Sequence, residues 1–326
     1  MNTFREQDLK RVRLISLMIL VVGVMGCGHR SSSKGAGAVE SNAARPEVPQ
    51  SPKALKAEDS DPQFFSDFFA ETGSISYHGY KVVRLNKTVH DDEIGLDIPV
   101  SYAVVRKNGK TRAVFDGVHY GAGNLTDFGL APLLGRDSKQ LIVSLTTPRA
   151  GRHWVVDLSS NTRILFDSFD YKLGREEVYL MDLDKDGVSE LGLLLTEFWG
   201  FRGLAMSQHE VLPMIVFKFD ARSKKYRPAN PLFAYDLEGI AEDASAIDPG
   251  ERPVSSLPIE YLGKRLGILL RYVYAGKQEQ GWEFFNRTYK LADAAQVKAG
   301  IRRRLQKEPV YRFIYRHRST LATPPS

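Results

Sequence analysis

The stretch MDLDKDGVSELGLLL, from Met181 to Leu195, decides how the fold of this chain is interpreted. Aspartates stand at positions 182, 184 and 186, a glycine follows at 187 and a glutamate at 190, and an almost wholly apolar segment comes directly afterwards. Strands that are apolar throughout are buried on both faces of a sheet. The stretch therefore predicts an acidic loop that enters an inner β-strand.

The acidic loop has the residue types that calcium prefers. Calcium binds about six to eight oxygens at about 2.3–2.6 Å, and carboxylates at positions 1, 3 and 5 surround one point when a glycine at position 6 permits a sharp turn. The predicted ligands are Asp182, Asp184, Asp186, the backbone carbonyl of Val188, and Glu190. Position 12 is Leu193 rather than the glutamate of an EF-hand. The alternative is a solvated turn whose aspartates bond the local backbone.

The pattern D-x-D-x-D-G-x-x-[DE] before an apolar strand resembles the calcium loop of FG-GAP or VCBS-type repeats, which occur in integrin-like propellers and in many bacterial envelope proteins. That resemblance implies a propeller-like fold and a structural Ca²⁺ ion. A fully protein-coordinated ion has no open position for a substrate. Phe128-Gly129-Leu130-Ala131-Pro132 is the nearest trace of the Phe-Gly…Gly-Ala-Pro cassette of that family.

Weaker copies of the loop stand elsewhere in the chain. About fifty residues earlier, the segment from Leu133 aligns with the segment from Leu183 and pairs Gln140 with Glu190. Asp137 is the one acid that this copy retains, so it should not bind metal. A further copy, Pro258 to Leu270, keeps the apolar strand pattern and lacks the carboxylates.

The rest of the folded part is predicted to repeat two β elements. Apolar strands alternate with hairpins whose polar turns favour tight bends. The predicted hairpins are Tyr102–Asp116, Trp154–Asp167 and Ile215–Asn230. The apolar strands are Leu141–Leu145, Leu191–Leu195 and Leu266–Leu270. An outer strand that contains aromatic residues follows each apolar strand, at Arg152–Val156, Met214–Phe217 and Trp282–Phe285. A period of roughly 50 to 75 residues is typical of β repeats. We therefore expect a mainly β fold of antiparallel, propeller-like repeats, with an irregular β-sandwich as the alternative.

Helix is predicted only at the two ends of this part. Asp61 as cap and Pro62 at the first position favour a short helix over Asp61–Phe69. Leu291–Lys307 has apolar residues at helical spacing, and Pro309 follows it. The predicted organisation is a β-repeat domain at 61–290 followed by a basic C-terminal helix and tail at 291–326.

The N-terminus is typical of an exported protein. Basic residues precede an apolar run from Leu14 to Met25, which is too short for a stable membrane span but suits a signal-peptide core. The run ends in Val24-Met25-Gly26-Cys27, which resembles the lipobox of bacterial lipoproteins, although that family usually has a small residue where Met25 stands. The resemblance implies that residues 1–26 are removed and that Cys27, the single cysteine of the chain, is acylated, as by palmitate. An uncleaved N-terminal anchor is the alternative.

The expected location follows from the same residues. Residues 27–60 are rich in Ser, Ala, Gly and Pro, which favours a flexible, lipid-anchored linker some tens of ångströms long. Because Gly28 rather than aspartate follows the lipobox cysteine, the resemblance favours the outer membrane over the inner membrane of the bacterial cell envelope.

Charge is distributed unevenly along the chain. The formal net charge is +6, and residues 290–318 hold nine basic residues against two acidic ones. Such asymmetry indicates an anionic partner. The residues predicted to contact it are Arg302, Arg303, Arg304 and Lys307. In a cell envelope, suitable partners are lipid head groups, lipopolysaccharide phosphates or an acidic protein, and nucleic acid is not expected. The alternative to a partner site is a basic face that is simply solvated.

Catalytic motifs give no positive indication. The sequence has no G-x-S-x-G, no H-E-x-x-H and no G-x-x-x-x-G-K-[ST], and we assign no catalytic residue. The aromatic segment from Phe198 to Gly203, which contains two glycines, could stack on sugars or peptides, or close one end of the β core. The preferred interpretation is a non-enzymatic binding or scaffold protein with a polysaccharide or protein partner. An envelope hydrolase of glycans or phosphoesters, with two converging acids, is the alternative.

Overall fold

The computed structural model describes residues 63–91, 95–116, 125–147, 151–173, 177–204, 212–233, 237–252 and 258–317. All of them belong to one of the two units into which the chain divides, Lys53–Ser326. The predicted signal peptide at 1–26, the predicted lipid site Cys27, the linker at 27–60 and tail residues 318–326 lie outside the described residues.

The described part is mainly β, with thirteen strands in three antiparallel sheets. The strands are β1 Gln63–Phe64, β2 Ser74–Tyr77, β3 Tyr80–Asp91, β4 Leu96–Lys107, β5 Lys110–Phe115, β6 Leu125–Ala131, β7 Gln140–Thr146, β8 Gly151–Asp157, β9 Arg163–Asp167, β10 Tyr179–Met181, β11 Glu190–Leu194, β12 Met214–Asp220 and β13 Lys225–Pro228. The sheet orders are β2-β3-β4-β5, β6-β7-β8-β9 and β1-β10-β11-β12-β13. Consecutive strands are neighbours in each sheet, and β1 joins the edge of the last one.

The predicted β repeat is confirmed at this level. Three four-stranded meanders begin at Ser74, Leu125 and Tyr179, which are about fifty residues apart. The three predicted hairpins are the strand pairs β4–β5, β8–β9 and β12–β13. At the first of them Asn108 and Gly109 both have positive φ, which is the backbone that a two-residue hairpin turn requires.

The middle sheet, β6 to β9, is buried on both faces. Leu141, Val143 and Leu145 belong to a cluster with the β2–β5 sheet. Ile142 and Val155 belong to a larger cluster that includes the last sheet and the helices. Successive side chains of a strand point to opposite faces, so the apolar run of β7 serves both clusters. Both clusters lie wholly within Lys53–Ser326, and we therefore expect this unit to fold without the preceding residues.

The last part of the predicted β-repeat domain is helical. Five helices follow β13: α1 Leu237–Ala246, α2 Pro258–Tyr274, α3 Gln278–Thr288, α4 Ala294–Lys307 and α5 Pro309–Arg316. The predicted strands Leu266–Leu270 and Trp282–Phe285 are therefore wrong, and so is the β copy at Pro258–Leu270. Leu262, Leu266, Leu269 and Val273 recur at helical spacing and are buried against the β part. A short apolar run does not by itself distinguish a buried strand from a buried helix.

The two predicted terminal helices have different outcomes. The C-terminal helix is confirmed as α4, which buries Val297, Ile301 and Leu305 and is followed by a further helix from Pro309. In the segment Asp61–Phe69, the described residues form β1 and a 3₁₀ turn over Phe65–Phe68. Pairing of β1 with β10 replaces the first half of the expected helix. Among the described residues, no helix has the length and apolar composition that a membrane crossing requires.

Buried polar groups anchor the helical part. Arg265 on α2 is fully buried and donates to the carbonyl oxygens of Thr288 (3.1 Å) and Tyr261 (3.1 Å) and to the carboxylate of Glu251 (2.7 Å). These acceptors meet the requirement that a buried cation be paired and hydrogen-bonded.

Glu308, which is also buried, caps the N-terminus of α5. Its carboxylate accepts hydrogen bonds from the N–H groups of Val310 (2.8 Å) and Tyr311 (2.5 Å) and from the Tyr274 hydroxyl (3.1 Å). Burial raises its pKa from 4.5 to about 7, because desolvation outweighs these hydrogen bonds, which lower it.

The raised pKa of Glu308 predicts how stability changes with pH. The folded state binds a proton that the unfolded state releases, so this contribution to stability is complete below pH 4.5 and is lost as the pH rises to about 7. Glu308→Gln keeps a carbonyl oxygen for the cap, and it should reduce the fall in unfolding free energy across this range by about 3 kcal/mol. Urea unfolding on both sides of the range measures the difference. Equal slopes in parent and variant would contradict the assignment.

Candidate metal centre

The acidic loop connects two neighbouring strands of the last sheet. Met181 ends β10, Glu190 begins β11, and these two residues are paired across the strands. Gly187 has a φ of 81° and Lys185 a φ of 59°. The left-handed backbone conformation at Gly187 is the physical reason for a glycine at the sixth loop position, because residues that carry a Cβ atom rarely adopt this conformation.

Hydrogen bonds to the backbone fold the loop onto its own carboxylates. Asp182 Oδ2 accepts from the N–H of Gly187 at 3.1 Å, and Asp186 Oδ1 accepts from the N–H of Val188 at 2.8 Å. Glu190 Oε2 accepts from the N–H of Leu183 at 2.8 Å. The loop thus has the local bonding expected of a charged turn, and the same bonds point the carboxylates toward one region.

Three of the predicted ligands converge. Asp182, Asp184 and Glu190 each place one carboxylate oxygen within 4.8 Å of the others, with the aspartates exposed and Glu190 buried. Oxygens that surround one calcium ion at about 2.3–2.6 Å lie up to about 5 Å apart, so the spacing fits this ion. The predicted ligand Asp186 lies outside the converging group. Val188, whose carbonyl oxygen is the remaining predicted ligand, donates its N–H to Asp186 Oδ1.

A residue that the sequence analysis missed lies among the carboxylates. The ammonium of Lys218, on β12, is 2.6 Å from Asp184 Oδ2, 3.0 Å from Asp186 Oδ2 and 3.0 Å from Glu190 Oε1. Antiparallel pairing of Leu191 with Phe217 brings Lys218 beside Glu190. The only sequence signal was a lysine inside an apolar strand, which does not specify a partner.

Burial and charge act against each other at this cluster. Burial raises the pKa of Glu190 to about 7, although the N–H of Leu183 and the ammonium of Lys218 lower it. For Lys218, burial would lower the pKa, but hydrogen bonds with the three carboxylates outweigh it and raise the pKa above its ordinary value. Lys218 is therefore a cation at neutral pH and neutralises part of the negative charge of the loop.

The loop also connects two sheets. The N–H of Ser189 donates to the carbonyl oxygen of Leu133 at 2.8 Å, and the Tyr226 hydroxyl donates to the carbonyl oxygen of Ser189 at 3.1 Å. Leu133 follows β6 of the middle sheet, whereas Tyr226 lies on β13 of the last sheet. Any cation held by the loop would thus brace the contact between these sheets.

The predicted pairing of Gln140 with Glu190 is confirmed. Ala131 pairs with Gln140 as Met181 pairs with Glu190, so both loops contain eight residues. Gln140 Oε1 accepts from the N–H of Leu134 at 3.0 Å, one residue further along its loop than the position that corresponds to Leu183, whose N–H donates to Glu190 Oε2. Both loops therefore use one buried side-chain oxygen at the start of the central strand to hold the turn.

The four basic residues predicted to meet an anionic partner have different surroundings. Arg302, Arg303 and Lys307 are exposed on α4. Arg304 is partly buried, donates to the carbonyl oxygen of Glu197 at 2.6 Å and lies over the ring of Phe201. Three of the four residues are therefore accessible to a partner.

Two phenylalanines of the aromatic segment, Phe198 and Phe201, close the core. Both phenylalanine rings are buried in the larger cluster and contact each other edge to face at 5.9 Å. Trp199 between them is only partly buried. The two phenylalanines thus support the structural interpretation of this segment.

Comparison with protein-family models, with curated proteins and with solved structures finds no match for this chain. The interpretation of the acidic loop therefore rests on its own residues and geometry.

Proposed function

We propose that this chain is a lipid-anchored protein of the bacterial cell envelope, at the outer membrane, with a non-enzymatic binding or scaffold role. In this proposal Cys27 carries the lipid and the loop from Asp182 to Glu190 holds a structural calcium ion. The observation that carries the proposal is the convergence of Asp182, Asp184 and Glu190 within 4.8 Å in a loop bonded to two sheets.

The contacts of the loop favour a structural role over a catalytic one. Its carboxylates accept from backbone N–H groups and from Lys218. A hydrolase with two catalytic acids needs carboxyl groups that face a substrate cleft, whereas these groups are directed at the loop itself. The binding surface of a scaffold would then be built from loops that the braced sheets hold in place.

Calcium and Lys218 compete in this proposal. The ammonium lies 2.6–3.0 Å from three carboxylate oxygens, including those of Asp184 and Glu190. A calcium ion held by the same oxygens would displace the ammonium toward solvent. Because the displacement costs free energy, the parent protein should bind calcium more weakly than a variant without the lysine.

The arrangement of the sheets is also part of the proposal. We interpret the three meanders as blades of a propeller-like repeat. Burial of the middle sheet on both faces supports this interpretation, because each inner blade packs between two others. An irregular β-sandwich remains the alternative architecture.

Calcium-dependent unfolding tests the metal site. We expect calcium to raise the unfolding midpoint of Lys53–Ser326 relative to chelator, because a ligand that binds only the native state stabilises it by about 2.7 kcal/mol at a hundredfold excess over Kd. Asp184→Ala should abolish the rise. Asp157→Ala is the matched control, since it removes an aspartate that holds the β8–β9 turn through Ser159. Equal midpoints with calcium and with chelator in the parent would refute calcium binding.

A further inference from the structure

Side chains of helices α3 and α4 meet and form a seam. The Arg302 guanidinium is 4.7 Å from the centre of the Trp282 ring, and Lys298 Nζ donates to Asn286 Oδ1 at 3.2 Å. Trp282 and Asn286 are four residues apart on α3, and their partners Arg302 and Lys298 are likewise four residues apart on α4. Lys290 Nζ donates to the carbonyl oxygen of Asn286 at 3.0 Å, which brings a third cation to this seam.

The exposed side of α4 extends the basic seam. Arg302, Arg303 and Lys307 are exposed, while the opposite side of the helix is buried. We define the basic seam as Lys290, Lys298, Arg302, Arg303 and Lys307, together with Trp282. Its members are four cations of α4, Lys290 from the connection between α3 and α4, and the amphipathic Trp282 ring on α3.

Acidic groups near the seam are few and mostly engaged. In 294–317 the one acid is Glu308, which is buried. Asp293, just before α4, pairs with Arg202 at 3.1 Å. On α3, Glu283 lines a shallow cavity with Arg287, and Glu279 is exposed near the start of the helix. The outer sides of α4 and α5 therefore carry no exposed carboxylate within 294–317.

We propose that the basic seam docks on anionic phospholipid head groups of the membrane that holds the lipid anchor, an inference that rests on the proposed anchoring at Cys27. Charge complementarity carries it: several Lys and Arg side chains of α4 and the connection before it attract acidic lipids, each by about fivefold in affinity. Trp282 beneath Arg302 suits the boundary between water and lipid, because indole rings favour that depth.

The tether makes this occupant available. Thirty-five residues separate Cys27 from Gln63, the first described residue. The flexible linker that the sequence predicts would span some tens of ångströms at this length, which would bring the seam to the bilayer at a high effective concentration. Docking would fix which side of the domain faces the membrane.

Vesicle binding tests the proposal with Lys53–Ser326, which has no lipid. We expect cosedimentation with vesicles of phosphatidylcholine and phosphatidylglycerol, loss of binding at about 1 M salt, where charges are screened within about 3 Å, and little binding to phosphatidylcholine alone. Arg302→Glu with Arg303→Glu should weaken binding at least about 25-fold, at about fivefold per cation. Lys81→Glu with Arg112→Glu is the matched control, because these exposed cations of the β2–β5 sheet give the same change in net charge.

Three results would overturn the proposal: no binding to anionic vesicles, equal loss in the control pair, or equal binding with and without the acidic lipid. The first would leave an acidic protein as the partner class for the seam. Membrane retention of the full chain, compared with Cys27→Ser, reports on the lipid anchor separately. Calcium-dependent unfolding without lipid likewise reports on the metal site, so failure of docking is distinguishable from failure of the proposed function.

Discussion

Replacing Lys218 with methionine should lower the free energy of unfolding by about 3 kcal/mol at neutral pH in the absence of calcium, because a buried carboxylate then loses its cationic partner. Glu190 is fully buried, and Lys218 is the cation beside it. Methionine keeps most of the length and apolar contact of the lysine stem. Urea unfolding of Lys53–Ser326 with chelator measures the loss.

A double-mutant cycle isolates the pair. In the Lys218→Met background, Glu190→Gln removes a buried carboxyl group that has lost its cationic partner and should restore part of the stability, although Asp184 and Asp186 still lose their ammonium partner. Lys224→Met is the control, since this exposed lysine of the β12–β13 turn lies on the same hairpin. A Lys218→Met variant as stable as the parent would show that the ammonium does not stabilise the loop.

Calcium should reverse the effect of the Lys218 substitution. If the ammonium and the ion share the oxygens of Asp184 and Glu190, Lys218→Met should bind calcium more tightly than the parent, by at least about tenfold, which is about 1.4 kcal/mol. Calorimetric titration of both proteins measures the ratio. Equal affinities would mean that the ion and the ammonium use different oxygens.

The second large effect is expected at Gly129, where replacement by alanine should cost about 3 kcal/mol. A Cβ atom at this position would lie 1.8 Å from the backbone oxygen of Phe68. The segment around Phe68 is held there by a β-bridge between Phe69 and Gly129 and by the bond from the Ala70 N–H to the Phe128 carbonyl oxygen. A methyl group would force this segment off β6, and such overpacking is strongly destabilising.

Gly73→Ala is the matched control for this substitution. A Cβ atom at Gly73 would meet nothing within 4 Å, and its φ is not positive. We expect its unfolding free energy to stay within about 0.5 kcal/mol of the parent. Urea unfolding of both variants provides the comparison, and a Gly129→Ala variant as stable as Gly73→Ala would contradict the close approach of the two segments.

Gly129 also explains part of a sequence pattern. The Phe128-Gly129 pair was only a trace of a repeat cassette in the sequence. In the structure Phe128 is buried between sheets, and Gly129 admits the Phe68 backbone. The glycine is therefore required by a contact with a segment about sixty residues earlier, which no local pattern could indicate.

The helical part shows where periodicity was insufficient. The sequence predicts an inner strand at Leu266–Leu270 because four of its five residues are large and apolar. The same residues, taken with Leu262 and Val273, form the buried side of a seventeen-residue helix. Only a sequence window that includes Leu262 and Val273 distinguishes the period of a helix from that of a strand.

Features with local causes were determined by the sequence alone. Alternating apolar residues and turn signals specify the three hairpins, a glycine at position 187 permits the left-handed turn of the acidic loop, and equal loop lengths align Gln140 with Glu190. Each depends on neighbouring residues and on backbone sterics. The repeat of antiparallel meanders follows from these features.

Which groups meet depends on how distant segments of the chain pack. The acidic loop meets Lys218 because β11 and β12 pair in one register, although a connection of about twenty residues separates them and does not fix that register. The seam of α3 and α4 likewise depends on how two helices pack, which collects Lys290, Lys298 and Arg302 around Trp282 and Asn286. Long-range packing sets such contacts, because the free energy of burial depends on the whole core rather than on neighbours in sequence.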